Sequence, residues 1–288
     1  MTPLRQQMID AMQVRGLAER TQSAYVAAVA ALAGYYGRSP DTLEAAQVEA
    51  YLLHLVRERA LSRSSVNQAG CAFRFLYETV LHRKGQARVP LGKSEQKLPE
   101  ILSRVELARL FACAREGKPR TVLMTAYGLG LRVGELCRLR VQDVDGHADR
   151  MCVRIVHGKG AKDRYVPLSP DVRELLRGWW KHAHPNGWLF CAQSEPTRPL
   201  NEDSALRWYH EARSAAGITK QGGIHSLRHC YATHLLEAGV DLHSLSQWLG
   251  HRYIGTTMRY LHLARPDAPD GIRRAPLELL RALEGLPR

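Results

Sequence analysis

The 288-residue sequence contains no Cys-x-x-Cys pair, no His-Glu-x-x-His, no acidic cluster of the kind that holds Mg²⁺ and no internal repeat. Its apolar runs fall well short of the ~20 residues needed to span a bilayer. Each absence narrows the reading. The six cysteines (Cys71, Cys113, Cys137, Cys152, Cys191 and Cys230) are scattered, most of them among apolar neighbours. They read as reduced, buried thiols of a cytosolic protein, not as a disulfide frame or a zinc site. The first residues are polar and amphipathic, without the pattern of a signal peptide. The expectation is a cytoplasmic protein with no membrane attachment, no metal and no cofactor.

Acidic residues are also scarce. Asp and Glu number 28 against 41 Lys and Arg, a formal net charge of +13. A pI near 9.7 suggests a polyanionic partner, of which nucleic acid is the commonest, although charge alone fits a merely basic soluble protein equally well. Residues 1–100 carry a surplus of 4 positive charges and the remainder 9, so both parts of the chain are candidates to meet that partner.

What is present is mostly helical periodicity. Residues 1 to about 82 read as all-helical. One helix begins near Thr21 and Ser23, carries Tyr25, Val29, Leu32 and Tyr36 inward, and ends near Gly37. After a Ser39-Pro40-Asp41 turn, Val48, Tyr51, Leu52 and Leu55 mark the next face. Ser62 caps a third helix with Val66, Cys71, Phe73, Leu76 and Val80 inside. Arg57, Arg59, Arg63 and Arg74 on these helices are candidate phosphate contacts, although charged helix faces are often simply solvated. The domains expected are a helical one over 1–88, a basic, turn-rich linker over 89–97, and a second domain over 98–288. A linker lying across a duplex and an ordinary connector both fit this stretch.

In the second domain helices are expected at 104–115, 120–127, 133–139, 170–182 and 201–215. Strands Met151–His157 and Arg164–Leu168 flank Gly158-Lys159-Gly160-Ala161-Lys162-Asp163 and read as a β-hairpin. The stretch 223–263 then carries His225 with Arg228 three residues on, His251 directly after Leu249-Gly250, and Tyr260 nine residues later. On a helix running to about Glu237, His225 and Arg228 share a face, with Leu227, Tyr231 and Leu235 inward. Asp241 caps a helix that reaches Trp248 and stops at Gly250, leaving His251 in a turn. Gly255-Thr256-Thr257 opens a last short helix expected to bear Tyr260. Taken singly, each residue is more often structural; the ordered set points to a site.

That order, His-x-x-Arg, Leu-Gly-His, then Tyr, resembles the tyrosine recombinases, the phage-integrase-like and Xer-like site-specific recombinases. The segment 125–136, Thr-Ala-Tyr-Gly-Leu-Gly-Leu-Arg-Val-Gly-Glu-Leu, resembles the part of that family bearing the first catalytic arginine and points to Arg132, with Glu135 as the acidic residue after it. The hairpin turn resembles the one bearing the catalytic lysine, Lys159 by position, with Lys162 the lesser candidate. The resemblance implies a mainly α fold with a small β-sheet or hairpin: a helical core-binding domain and a mixed α/β catalytic domain clamping DNA. Lys162 and Arg164 join the candidate DNA contacts.

The implied chemistry is strand cleavage and rejoining without a metal. Arg132 and Arg228, two planar forks that stay charged, clamp the phosphodiester oxygens. Tyr260 attacks phosphorus, His225 serves as base, His251 binds or orients the phosphate, and Lys159 protonates the leaving 5′-oxygen. The product is a 3′-phosphotyrosine whose ester another strand can reverse. The resemblance further implies paired sites and a homotetramer on DNA, linked through a tail near 272–288 with Leu277, Leu280 and Leu283 on one side. Three other readings stand beside it: a metal hydrolase built on His225, His229 and His234, a non-catalytic DNA-binding accessory factor, and a type IB topoisomerase.

Overall fold

A computed structural model describes residues 2–83, 85, 98–156 and 163–264, and the chain divides into two compact units, Met1–Lys97 and Leu98–Arg288. The proposed linker 89–97, the hairpin tip with Lys159 and Lys162, and the tail 272–288 lie outside the described residues.

The first unit is helical. It holds α1 (Pro3–Val14), α2 (Glu19–Tyr36), α3 (Ala45–Arg57) and α4 (Arg63–Arg74). The chain continues from α4 into a wider π-helical turn, Phe75–Val80. Thr2 caps α1, with Pro3 at a first-turn position where its missing N–H costs nothing. Helix α2 stops at Gly37, whose φ of +62° is the left-handed C-cap that favours glycine. Ser62 caps α4 by accepting from the Ser65 N–H at 3.2 Å. Val48, Tyr51, Leu52 and Leu55 all face the core beside Leu32, Phe73 and Leu76. Tyr77, wholly buried, satisfies its hydroxyl by donating to the Pro40 carbonyl at 2.7 Å.

The second unit contains α5 (Arg104–Cys113), α6 (Lys118–Gly128), α7 (Val133–Cys137), α8 (Pro170–Ala183), α9 (Glu202–Ala215), α10 (His225–Glu237), α11 (Leu242–Leu249) and α12 (Gly255–Met258). A three-stranded antiparallel sheet is ordered β1 (Val144–Asp145), β2 (Cys152–Ile155), β3 (Arg164–Pro167). The expected hairpin is β2 with β3, in register Val153 with Val166; the short β1 edge was not legible in two residues. Helices α6 and α10 are buried nearly all round and pack on each other, so neither shows a clean amphipathic stripe. Gly128 lets α8 approach α6, since a Cβ there would sit 2.5 Å from Val172 Cγ2.

Two expectations need correction. Tyr260 lies in the turns just after α12, which ends at Met258, so the tyrosine is not on the helix itself. Among the cysteines only Cys137 and Cys230 are buried, and Cys113 is exposed; its position on the outer side of α5 was not visible from its apolar neighbours.

Candidate active site

The site is built where three chain reversals meet α10. Helix α10 carries His225, Arg228 and His229. Arg228 is 1% exposed, an unusual place for a guanidinium. It is held by donating from Nη1 to the Gly130 carbonyl at 2.8 Å and from Nη2 to the Leu249 carbonyl. The Glu135 carboxylate stands 4.0 Å from Nη1. Gly130 must be glycine: its φ is +59°, and a Cβ there would overlap the Tyr231 ring. Burial, with the charges of Arg132 and Arg164, lowers Arg228 to about 9, which still leaves it protonated at neutral pH.

Arg132 precedes α7 and is partly open to solvent. Its Nη1 donates to Glu135 at 2.8 Å and its Nη2 to the Gly250 carbonyl at 3.3 Å. Glu135 is the hub. It also accepts from the Arg132 backbone N–H at 3.0 Å and from both Nη atoms of Arg164, at 2.9 and 2.7 Å. Burial alone would raise its carboxyl; the Arg164 hydrogen bonds and charge, then those of Arg132, outweigh this and bring it to about 2. One carboxylate thus fixes two arginines and faces a third.

This corrects the expectation that Arg164 meets DNA. Its side chain is 9% exposed, and all three guanidinium nitrogens are engaged inside, Nε donating to the Trp248 carbonyl at 2.7 Å. Arg164 is a strut from β3 to α7 and to the end of α11. Its Cδ would lie 2.8 Å from a Cβ at Gly250, whose φ of +62° turns the chain toward His251. Arg57, Arg59 and Arg63 are exposed on the first unit, and Arg74 is partly covered.

His251 enters from that turn. Arg228 Nη2 can only donate, so His251 Nε2 accepts from it at 3.2 Å, which places the ring proton on Nδ1, bonded to Thr257 Oγ1 at 2.7 Å. Burial and the charges of Arg228 and Arg132 lower His251 to about 3, in keeping with this neutral ring. Its ring lies nearly parallel to that of Tyr260, centroids 6.3 Å apart.

Tyr260 is 2% exposed, and burial raises its phenol above the usual value while Arg228, Arg259 and Arg132 oppose the rise. Its hydroxyl is bonded to His229 Nδ1 at 2.9 Å, not to His225, the expected base. His225 stands at the open side of the site, edge-on to His229 with ring centroids 4.7 Å apart. Loss of water on its inner side, then Arg228 and Arg132, lowers His225 to about 4.

The structure therefore brings Arg132, His225, Arg228, His251 and Tyr260 together; Lys159 is outside the described residues. The contacts of His229 with Tyr260 and of Thr257 with His251, and the inward role of Arg164, were not legible in the sequence. His229 was available as the residue after Arg228 and one turn beyond His225, but nothing in the sequence aims it at Tyr260. The metal-hydrolase alternative loses its third ligand, because His234 is buried and bonded through Nδ1 to the Tyr127 hydroxyl at 3.0 Å. Among the described residues no group of three or more His, Cys, Asp or Glu is placed to hold a metal ion.

Comparison with known proteins identifies the family. Residues 100–266 match the phage integrase family and residues 4–87 match the phage integrase N-terminal SAM-like domain. The chain is 39% identical over 266 residues to the putative integrase/recombinase y4qK of Sinorhizobium fredii, covering 92% of this chain and 85% of that relative. Among solved structures it resembles XerA recombinase at a TM-score of 0.52 and 25% identity, covering 99% of this chain and 98% of that one. It also shares the fold of the XerH site-specific recombinase bound to a palindromic difH substrate, with a TM-score of 0.69 at 20% identity over 89% of this chain and 80% of the other. The chain belongs to the phage integrase family, the tyrosine recombinases.

Proposed function

We propose that the protein carries out site-specific DNA recombination with the residues gathered around α10. The observation that carries the reading is the buried Arg228, held beside Arg132, His251 and Tyr260 by backbone carbonyls and Glu135. A guanidinium removed from water for no purpose is costly, and a preformed cationic pocket beside a phenol suits one reaction, attack on a phosphodiester. Arg132 and Arg228 bind the non-bridging oxygens. Tyr260 attacks phosphorus, forming the Tyr–O–P bond as the P–O5′ bond breaks, and Lys159 protonates the departing 5′-oxygen. His251 orients Arg228 and, with it, the phosphate. His225, on the open side, exchanges protons between site and solvent. The energy of the broken bond stays in the 3′-phosphotyrosine, so a second strand's 5′-hydroxyl restores the duplex without a nucleotide cofactor.

DNA is the partner, in keeping with the +13 charge. Exposed Arg57, Arg59 and Arg63, with Arg74 and Lys162, are the proposed phosphate contacts outside the site. We further propose that the tail near 272–288 joins four protomers on paired sites. No described helix is long and apolar enough to cross a membrane, and the proposed location is the cytoplasm, on the nucleoid.

The test is a plasmid bearing two copies of a duplex selected by the protein from a randomised library. The full chain should resolve it into two circles and Arg132→Ala should not. Relaxation of a site-free supercoiled plasmid, with no resolution, would replace the reading with a topoisomerase. Deleting 272–288 should preserve binding to one site and abolish resolution.

A further inference from the structure

Resting on the assignment of Tyr260 as nucleophile, we propose that His229 is the group that receives the Tyr260 proton during strand cleavage. The geometry is direct. Among the described residues His229 Nδ1, 2.9 Å away, is the sole hydrogen-bond partner of the Tyr260 hydroxyl. The phenol has no other acceptor there, so its O–H donates to Nδ1, and the second ring nitrogen carries the imidazole proton. The expected base, His225, presents its ring to His229 rather than to the hydroxyl.

His229 differs from a structural histidine on the same helix. His234 is buried and fastened to Tyr127, whereas His229 is half-buried and contacts the reacting oxygen. Its basicity also depends on the substrate. Burial, then the charges of His225, Arg228 and Arg259, lowers His229 to about 4, while burial raises the Tyr260 phenol. Proton transfer in the free protein is thus disfavoured, and Tyr260 rests as a neutral phenol. A phosphate between Arg132 and Arg228 offsets the share of that lowering that comes from Arg228, while those of burial, His225 and Arg259 stay. The acceptor strengthens when the bond to be attacked arrives.

The step balances. The Tyr260 oxygen bonds to phosphorus and its proton passes to His229, which becomes an imidazolium. The 5′-oxygen leaves with a proton from Lys159. Rejoining returns both protons to their donors.

The experiment measures single-turnover formation of the covalent adduct by the full chain. Its probe is a nicked duplex, selected from a randomised library, whose short cleaved fragment diffuses away. His229→Gln keeps an oxygen to accept the phenol bond but cannot take the proton. Its cleavage rate should fall at least ~100-fold with DNA affinity within about twofold, the range of a lost general base. His229→Ala should be restored in part by added imidazole, in proportion to the free base. If His229→Gln fails to fold, the imidazole rescue of His229→Ala decides alone. Cleavage by His229→Gln at or above the wild-type rate would mean that His229 merely holds Tyr260 in place, and absence of imidazole rescue would likewise overturn the assignment. A Tyr260→Phe protein that still forms the adduct would remove the nucleophile and its base together. A dead Tyr260→Phe with an unimpaired His229→Gln removes only His229.

Discussion

Glu135→Gln removes the charge from a carboxylate that is 6% exposed and that accepts from Arg132 and from both Nη atoms of Arg164. Its carboxyl is held at about 2 against 4.5 for an unperturbed glutamate, a difference equivalent to roughly 3 kcal/mol of stability at neutral pH. Breaking one side of a buried ion pair costs about 3–5 kcal/mol, so two routes give the same size of effect. Because the folded value lies below the unfolded one, this stabilisation is complete above about pH 4.5 and fades as the pH falls toward about 2. All five tryptophans lie in the second unit, so their fluorescence reports its unfolding. Urea titration at pH 7 should show a loss of roughly 3 kcal/mol, and the thermal midpoint should drop by ~6–12 °C. At pH 3.5 the gap between the two proteins should shrink to roughly three-fifths. A loss under about 1 kcal/mol at pH 7, or a gap that does not change with pH, would refute the idea that this carboxylate anchors the arginine network.

Gly130→Ala should destabilise the second unit by more than about 2 kcal/mol, since the new methyl meets both a left-handed φ and the Tyr231 ring. The same urea titration checks it, and an unchanged midpoint would show that the turn adapts. Arg164→Gln should lower cleavage while leaving the salt dependence of DNA binding unchanged, because its guanidinium faces inward. Arg63→Gln, on an exposed position, should flatten the log-log salt slope by about 0.9. Lys159→Ala should recover cleavage on a substrate with sulfur in place of the leaving 5′-oxygen, and Arg132→Ala should not; recovery of both or neither would remove the acid role from Lys159.

Much of this molecule was legible in its sequence, for local reasons. Gly37 and Gly250 mark helix ends, Ser62 and Asp241 accept the capping N–H groups, and the Val48, Tyr51, Leu52, Leu55 spacing matches the buried face of α3. The arginines, histidines and tyrosine of the site were legible by their order. What escaped was long-range. The contact from Arg164 to Glu135 spans 29 residues and that from His229 to Tyr260 spans 31; neither has a periodic signal. A basic residue beside a basic hairpin reads as a DNA contact until the fold turns it inward. α6 and α10, buried nearly all round, lose most of the polar face that marks a helix edge, so their partners were not predictable from pattern alone.

The central claim, that Tyr260 is the residue joined to DNA, is tested most directly by isolating the covalent adduct. The full chain is incubated with the nicked selected duplex, denatured, digested with protease and nuclease, and the nucleotide-bearing peptide is sequenced by mass spectrometry. The account predicts a single modified peptide, with the nucleotide on Tyr260 through a 3′-phosphate, and none from Tyr260→Phe. An adduct on Tyr253 or Tyr165, a 5′-phosphate linkage, or persistence of the adduct in Tyr260→Phe would contradict it.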